Sequence, residues 1–168
     1  MKTILTILFF LTSASNALAN TPGEVQVGEH LREAKLQSIL GKSKRFSDYH
    51  GKPLIINIWA SWCGPCREEM ASIQQLSQRF GGKKFNVIGI STDDDIHAAA
   101  ALIKQSKLTF DNYIDSNLFL ENMLGANTIP LTLLIDANGL VVMKIRGARN
   151  WNSTESIMMI HKTLNIKH

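Results

Sequence analysis

Short, largely apolar runs bounded by turn-forming residues mark the predicted strands of this chain. They cover residues 53–60, 85–90, 131–135 and 140–145. Runs of this length with Gly, Pro, Asn or Asp at their ends are typical of buried strands. The last two runs flank an Asn138-Gly139 turn, which predicts a β-hairpin. Two shorter apolar segments around Gly41-Lys42, within residues 36–46, predict a second hairpin.

Apolar residues spaced three or four positions apart predict the helices. A first helix ends at Gly81-Gly82, a pair typical of helix ends, and a last helix begins at Asn152 or Ser153, either of which can cap it. A short helix is also predicted over residues 118–124. The apolar faces of the other helices consist of Met70, Ile73, Leu76 and Phe80; of Ile96, Ala99, Ala100 and Ile103; and of Ile157, Ile160 and Leu164.

The order of these elements predicts an α/β fold. Strand, helix, strand, helix, then hairpin and helix indicate a central mixed sheet flanked by helices on both faces. The hairpin at residues 36–46 adds an N-terminal β-hairpin extension. The chain has 168 residues, of which 45% are hydrophobic, and this suits one globular domain with a single core.

The N-terminus has the pattern of a secretory signal peptide. Lys2 precedes an apolar stretch over residues 4–11, and Ala17-Leu18-Ala19 predicts cleavage after Ala19. We therefore expect a signal peptide at 1–19, a lead-in at 20–35 that is polar and flexible to about residue 29, and the domain at 36–168. The apolar stretch is shorter than the ~20 residues of a membrane span. The expected location is the periplasm, with an uncleaved membrane anchor as the minor alternative.

The charge of the chain gives no sign of a nucleic-acid partner. The formal net charge is +4, and the basic residues are spread along the sequence without a block. Asp93-Asp94-Asp95 is interpreted as a helix start, where acidic residues complement the helix dipole, and not as a metal site.

The chain contains two cysteines, Cys63 and Cys66, in a Cys-Gly-Pro-Cys motif between a predicted strand and a predicted helix. A pair at such a junction is typical of a redox-active dithiol. A structural zinc site needs four ligands, and the five histidines are scattered without ligand spacing. Haem attachment would need a histidine at position 67, where Arg67 stands. An inert disulfide is disfavoured because so short a loop gains little stability. We therefore expect no metal and no cofactor beyond this disulfide.

The position of the motif assigns different roles to the two sulfurs. A helix that starts near Cys63 directs its free N–H groups at that sulfur and stabilises the thiolate, which is the attacking form. Cys66 lies one turn later on the same face and can resolve a mixed disulfide. Pro65 suits an early helical position. Arg67 either supports the thiolate or is a solvated first-turn side chain.

A longer pattern around the cysteines resembles the exported TlpA/ResA-like branch of the thioredoxin-fold oxidoreductases. The resemblance covers roughly residues 36–164 and has its centre at Trp62, Gly64 and Pro65. It implies a thioredoxin fold, thiol–disulfide exchange with protein disulfides, and a membrane thiol-transfer protein as electron donor. This family often serves cytochrome c maturation. We also expect a monomer. The residues that carry the resemblance are Gly51-Lys52-Pro53 and Asn57-x-Trp59-Ala60-Ser61-Trp62-Cys63-Gly64-Pro65-Cys66-Arg67-x-Glu69.

The resemblance also implies a substrate-binding strip. Pro130, preceded by Ile129, matches the cis-proline that faces the redox pair, and in the family the residue before it pairs with the partner peptide. The alternative is an ordinary trans proline at a strand entry. Gly147 matches a glycine beside the redox site, where a small residue admits a partner backbone. Trp62 is assigned to an apolar contact patch, or alternatively to simple packing.

Three further positions match the family pattern, and the first of them concerns proton transfer during the exchange. Glu69 matches an acidic residue three positions after the second cysteine and is the candidate proton acceptor, with a helix-surface glutamate as the alternative. Asn57 stands where thioredoxin keeps a buried aspartate, and we interpret it as a hydrogen-bonded core residue. Trp151 also fits the pattern, without an assigned role.

The leading functional hypothesis is a periplasmic reductase of protein disulfides. A disulfide oxidant or isomerase is the second, and a redox-regulated copper-binding module is the third. Neither the client protein nor the direction of electron flow follows from the sequence.

Overall fold

The computed structural model describes residues 22–166, which form one mixed seven-stranded sheet with four α-helices. The strands are β1 Lys35–Ser38, β2 Lys44–Arg45, β3 Leu54–Trp59, β4 Asn86–Ser91, β5 Asp111–Ile114, β6 Leu131–Ile135 and β7 Val141–Arg146. The helices are α1 Gly64–Phe80, α2 Ile96–Gln105, α3 Phe119–Leu124 and α4 Thr154–Thr163, and a 3₁₀ helix spans Phe46–Tyr49. Both predicted hairpins are present, as β1–β2 and as β6–β7.

The strand order β2-β1-β5-β4-β3-β6-β7 places β3 near the middle of the sheet. β3 pairs in parallel with β4 and antiparallel with β6, so the sheet is mixed, as predicted. Parallel neighbours need a crossover, and α1 and α2 supply those between β3 and β4 and between β4 and β5. The carboxyl end of β3, which leads into the cysteine motif, therefore lies inside the sheet and not at its edge.

Alternate residues of β3 face two separate layers of the core. Leu54, Ile56 and Ile58 pack with α3 on one face. Ile55 packs with α1 and α4, and Trp59 with α2, on the other. This alternation is the two-residue period of a strand buried on both faces. The prediction of helices on both faces is confirmed.

No local pattern predicted β5. Asp111 and Asn112 begin this strand with polar side chains, and only Tyr113 and Ile114 continue it with apolar ones. It is a strand because β4 and β1 pair with it from either side. Tertiary pairing, and not local propensity, decides the conformation of so short a segment.

The predicted flexible lead-in is wrong for residues 22–29. Val25 is buried, and its N–H donates to the carbonyl oxygen of Met123. Glu24 is also buried and forms an ion pair with Lys144 of β7 at 3.3 Å. Polar composition suggested a solvated segment, but backbone hydrogen bonds and one ion pair fix it against the sheet. The predicted cleavage after Ala19 lies outside the described residues.

Within residues 22–166, none of the helices has the length and apolarity needed to cross a membrane. The helix caps follow the local sequence. Ser153 caps α4 by accepting from the N–H of Ser156, and Asp95 caps α2 by accepting from the N–H of His97. The helix-start interpretation therefore holds for Asp95, whereas Asp93 is buried and bonded elsewhere.

Candidate active site

Cys63 caps the N-terminus of α1 and is joined to Cys66 by a disulfide. The Cys63 Sγ accepts a hydrogen bond from the N–H of Cys66 at 3.2 Å. Pro65 lies in the first turn, where its missing N–H leaves no helical hydrogen bond unmade. The free N–H groups and the positive end of the helix dipole thus lie at the sulfur of Cys63.

The two sulfurs differ in their access to solvent. Cys66 is fully buried, whereas Cys63 keeps 6% of its surface exposed at the end of the helix. Trp62 is 70% exposed directly before it, which does not fit a purely packing role. Cys63 is therefore the sulfur of the pair that is accessible from solvent, and it lies next to an exposed aromatic ring.

The predicted substrate-binding residues lie together next to the disulfide. The Ile129–Pro130 peptide bond is cis, as expected, and the carbonyl oxygen of Ile129 lies 3.9 Å from Cys63 Sγ. The N–H of Gly147 donates to the carbonyl oxygen of Pro130 at 2.9 Å. Gly147 itself is exposed and has a φ of +86°, a conformation that favours glycine. The fold thus brings two distant loops to one side of Cys63.

Glu69 is buried in the first half of α1 and not on its surface. It is only 2% exposed, so the surface-glutamate alternative is wrong. The Trp151 Nε1–H donates to its Oε2 at 2.8 Å and the N–H of Arg149 donates to the same oxygen at 3.1 Å. Asn57 Nδ2 donates to its Oε1 at 2.8 Å. Burial raises the pKa of Glu69 above its ordinary value, and the hydrogen bonds from Trp151, Asn57 and Arg149 oppose that rise.

Asn57 joins this network from the centre of β3. Its Nδ2 donates to Thr132 Oγ1 at 3.0 Å as well as to Glu69. The interpretation as a hydrogen-bonded core residue is confirmed. Its Oδ1 is buried without a hydrogen-bond partner among the described residues. The amide is thus a donor toward the carboxylate, which suits the charged form of Glu69.

Sequence reasoning singled out Trp151 but assigned it no role. It is fully buried, and its indole reaches a carboxyl group 82 residues earlier in the chain. A tryptophan four residues after Gly147 was visible in the sequence, but its partner was not. The contact exists because the loop after β7 folds over α1, where Ser72 Oγ accepts from the N–H of Trp151.

A second buried carboxylate holds the segment that precedes the cysteines. Asp93 accepts hydrogen bonds from the backbone N–H of Ser61 at 2.9 Å and from its hydroxyl at 2.6 Å. The hydroxyl of Ser91 donates to the same carboxylate at 2.6 Å. The loop between β3 and α1 is therefore fixed from the end of β4. No group of three or more metal-ligating side chains occurs within residues 22–166.

Comparison with known proteins places this geometry in a family. The model of the AhpC/TSA family matches residues 27–144. The chain belongs to the AhpC/TSA family. The match runs from before β1 into β7 and includes both cysteines and Pro130.

Relatives of this AhpC/TSA-family chain are thiol–disulfide oxidoreductases. The protein named thiol-disulfide oxidoreductase ResA from Geobacillus thermodenitrificans is 28% identical over 150 residues, which cover 88% of this chain and 86% of the relative. The ResA of Bacillus thuringiensis subsp. konkukian is 26% identical over 135 residues, covering 80% and 78%. A solved Chlorobium tepidum chain, assigned as the thiol:disulfide interchange protein DsbE, superposes with a TM-score of 0.76 at 26% identity, covering 84% and 99%. The chain is a thiol–disulfide oxidoreductase of the thioredoxin fold.

Proposed function

We propose that this protein reduces disulfides in exported proteins, with Cys63 as the nucleophile and Cys66 as the resolving thiol. One observation carries the assignment. Cys63 Sγ caps α1 and accepts the Cys66 N–H, while Cys66 is fully buried behind it. A sulfur at a helix N-terminus is stabilised as the thiolate, and only an accessible thiolate can attack a client.

The reaction transfers two electrons from the reduced pair to the client. The Cys63 thiolate attacks one sulfur of the client disulfide, forms a mixed disulfide and releases the first client thiolate. The Cys66 thiol then gives up its proton and attacks Cys63 Sγ. The Cys63–Cys66 disulfide forms, the mixed disulfide breaks, and the second client thiolate leaves. Both client thiolates take up protons from their surroundings, so the pair carries the electrons without a cofactor.

Glu69 is the proposed acceptor of the Cys66 proton. It lies three residues after Cys66 on α1, and residues at this spacing share a helix face. Burial raises the pKa of its carboxyl group, which makes it a better base than an exposed glutamate. Asn57 and Trp151 hold the carboxylate by one oxygen each.

The proposed client surface surrounds Cys63. Ile129 offers its carbonyl oxygen to an extended client segment, in the manner of a strand added to a sheet edge. Pro130 fixes that carbonyl beside the sulfur, and Gly147 leaves room for the backbone of the client. Trp62 adds an exposed apolar contact.

The dipeptide between the cysteines favours a reductant over an oxidant. Gly64-Pro65 is the dipeptide of thioredoxin, whose potential is about −270 mV, against about −120 mV for the oxidant DsbA. Strong oxidants of this chemistry stabilise the thiolate much further, which raises their potential.

The proposed location is the periplasm, after export directed by residues 1–19. There a membrane thiol-transfer protein supplies the electrons, and cytochrome c maturation is one process that consumes them. The apolar stretch at residues 4–11 and the cleavage motif Ala17-Leu18-Ala19 support export. The proposed state is a monomer.

Two cysteine variants and a measurement of the reduction potential of the Cys63–Cys66 pair test the proposed function. Cys63→Ser is expected to abolish the reduction of a protein disulfide, whereas Cys66→Ser is expected to accumulate client mixed disulfides on Cys63. Full activity of Cys63→Ser would refute the nucleophile. The potential is measured in dithiothreitol and glutathione buffers through Trp62 fluorescence. A value near that of thioredoxin or below supports the reductase, and a value near that of DsbA would make the protein an oxidant.

A further inference from the structure

The side chain of Trp151 connects the loop after β7 to Glu69, the candidate proton acceptor. Its indole Nε1–H lies 2.8 Å from Glu69 Oε2, and both side chains are buried. The indole can only donate, and a carboxylate can only accept. The pair is therefore complementary when Glu69 is charged, and it loses strength when a proton occupies that oxygen.

The surroundings of Trp151 fix it in this position. Its backbone N–H donates to Ser72 Oγ at 3.0 Å, and Ser72 also donates to the carbonyl oxygen of Glu69 at 2.8 Å. The adjacent Arg149 N–H donates to the same Glu69 Oε2. Hydrogen bonds from Arg149 and Trp151 to Glu69 and Ser72, which are one turn apart, thus hold residues 149–151 against α1. The indole is preorganised and loses little freedom when it binds the carboxylate.

We propose that Trp151 is a positioning residue for proton transfer, whose indole N–H holds the Glu69 carboxylate, one helical turn after Cys66, in the charged form that accepts a proton. This inference rests on the proposed role of Glu69. Burial alone raises the pKa of Glu69, and the Trp151 hydrogen bond is the largest influence in the opposite direction. Trp151 therefore keeps the buried carboxyl group available as a base.

Hydrogen bonds, and not neighbouring charges, oppose the rise in the pKa of Glu69. The groups around Glu69 are Glu68 of α1, Asn57 of β3 and Arg149 of the loop; Cys66 lies one turn before Glu69 on α1, and Thr132 of β6 bonds Asn57. Asn57 and Thr132 carry no charge. The guanidinium of Arg149 lies over the Trp151 ring, 5.8 Å from its centroid, and its Nη1 is 3.4 Å from Met159 Sδ on α4. Cys66 titrates only in the reduced protein, so the oxidised protein isolates the influence of Trp151.

The first test is a titration of the oxidised protein by NMR. Glu69 is followed through its side-chain carboxyl carbon, assigned by comparison with Glu69→Gln. In Trp151→Phe, a similar shape without the donor, the Glu69 midpoint is expected to move to higher pH, with roughly tenfold tighter proton binding. Trp59→Phe is the matched control, because Trp59 is buried and its indole donates to Asn112 and not to Glu69. An unchanged midpoint in Trp151→Phe, or an equal shift in Trp59→Phe, would overturn the proposal.

The wild-type protein provides a second test that needs no folded variant. The Trp151 indole N–H resonance is expected to titrate with the Glu69 midpoint, while the Trp59 indole resonance does not. Absence of this titration at Trp151 would overturn the proposal as well.

Kinetic profiles separate this inference from the proposed function. Reduction of a protein disulfide is measured against pH in the wild type, Glu69→Gln, Trp151→Phe and the double variant. If Glu69→Gln keeps the wild-type profile, the proton-acceptor role fails. If Glu69→Gln removes one limb of the profile and Trp151→Phe leaves it in place, only the role of Trp151 fails. The proposal is supported if the limb of the pH profile that depends on Glu69 moves to higher pH in Trp151→Phe and is absent from the double variant.

Discussion

The backbone N–H and the hydroxyl of Ser61 both donate to the carboxylate of Asp93, at 2.9 and 2.6 Å. Ser61 stands two residues before Cys63, and Asp93 stands two residues after the end of β4. The parallel pairing of β3 with β4 brings these two strand ends together. The redox motif is thus held by a buried carboxylate in addition to its own helix.

Asp93→Asn is expected to weaken this support. An amide nitrogen placed among the N–H and O–H donors cannot accept from them, and a hydrogen bond to a charged group contributes about 1.5–3 kcal/mol. The free energy of unfolding should fall by about that amount in urea denaturation. The amide of Ser61 should also exchange faster with solvent. Asp94→Asn is the control, since Asp94 is exposed, and an equal loss there would contradict the assignment to Asp93.

Trp62→Ala tests the client surface without disturbing the core. Because Trp62 is 70% exposed, we expect a change of less than about 0.5 kcal/mol in the free energy of unfolding. The kcat/KM for a protein disulfide should fall several-fold, while the rate with a small disulfide stays near that of the wild type. Met158→Ala is the matched control, because Met158 is 66% exposed on α4 and lies against Arg79 and Phe80 at the end of α1 remote from Cys63. Similar losses in both variants would argue against a contact role for Trp62.

Gly147→Ala separates backbone strain from client binding. Gly147 and Gly51 both have a φ of +86°, and a Cβ at either position meets nothing within 4 Å. Each alanine variant should therefore lose about 1 kcal/mol of stability through its left-handed backbone. Only Gly147→Ala should raise the KM for a protein disulfide, because Gly147 lies beside Pro130. The proposed role fails if Gly51→Ala raises this KM equally.

Glu69→Gln is expected to change how stability depends on pH. Burial raises the folded-state pKa of Glu69, so the folded protein binds this proton more tightly than the unfolded chain does. Its contribution to stability is complete below the ordinary glutamate pKa and is lost as the pH rises through the raised value. The free energy of unfolding of the wild type should thus decline over this window relative to Glu69→Gln. Urea denaturation across the window measures the difference, with the exposed Glu68→Gln as control. Parallel curves for the wild type and Glu69→Gln would show that the folded-state pKa is not raised.

Local sequence determined much of this protein. The Cys-Gly-Pro-Cys motif between a buried strand and a helix predicted the redox pair, and Cys63 does cap α1. The Asn-Gly turn predicted the β6–β7 hairpin, and Ser153 was a visible cap for α4. These features depend on residues a few positions apart, whose geometry follows from backbone sterics and short-range hydrogen bonds.

Tertiary structure alone decided what surrounds the redox pair. Ile129 reaches Cys63 across 66 residues, and Trp151 reaches Glu69 across 82. Such contacts depend on strand order and register, which no single segment encodes. The same pairing made a strand of Asp111–Ile114 and docked residues 22–29, which the local pattern did not predict. Local sequence therefore determined where the redox pair lies, while the packing of distant segments set its environment, because burial and hydrogen bonding are properties of the assembled core.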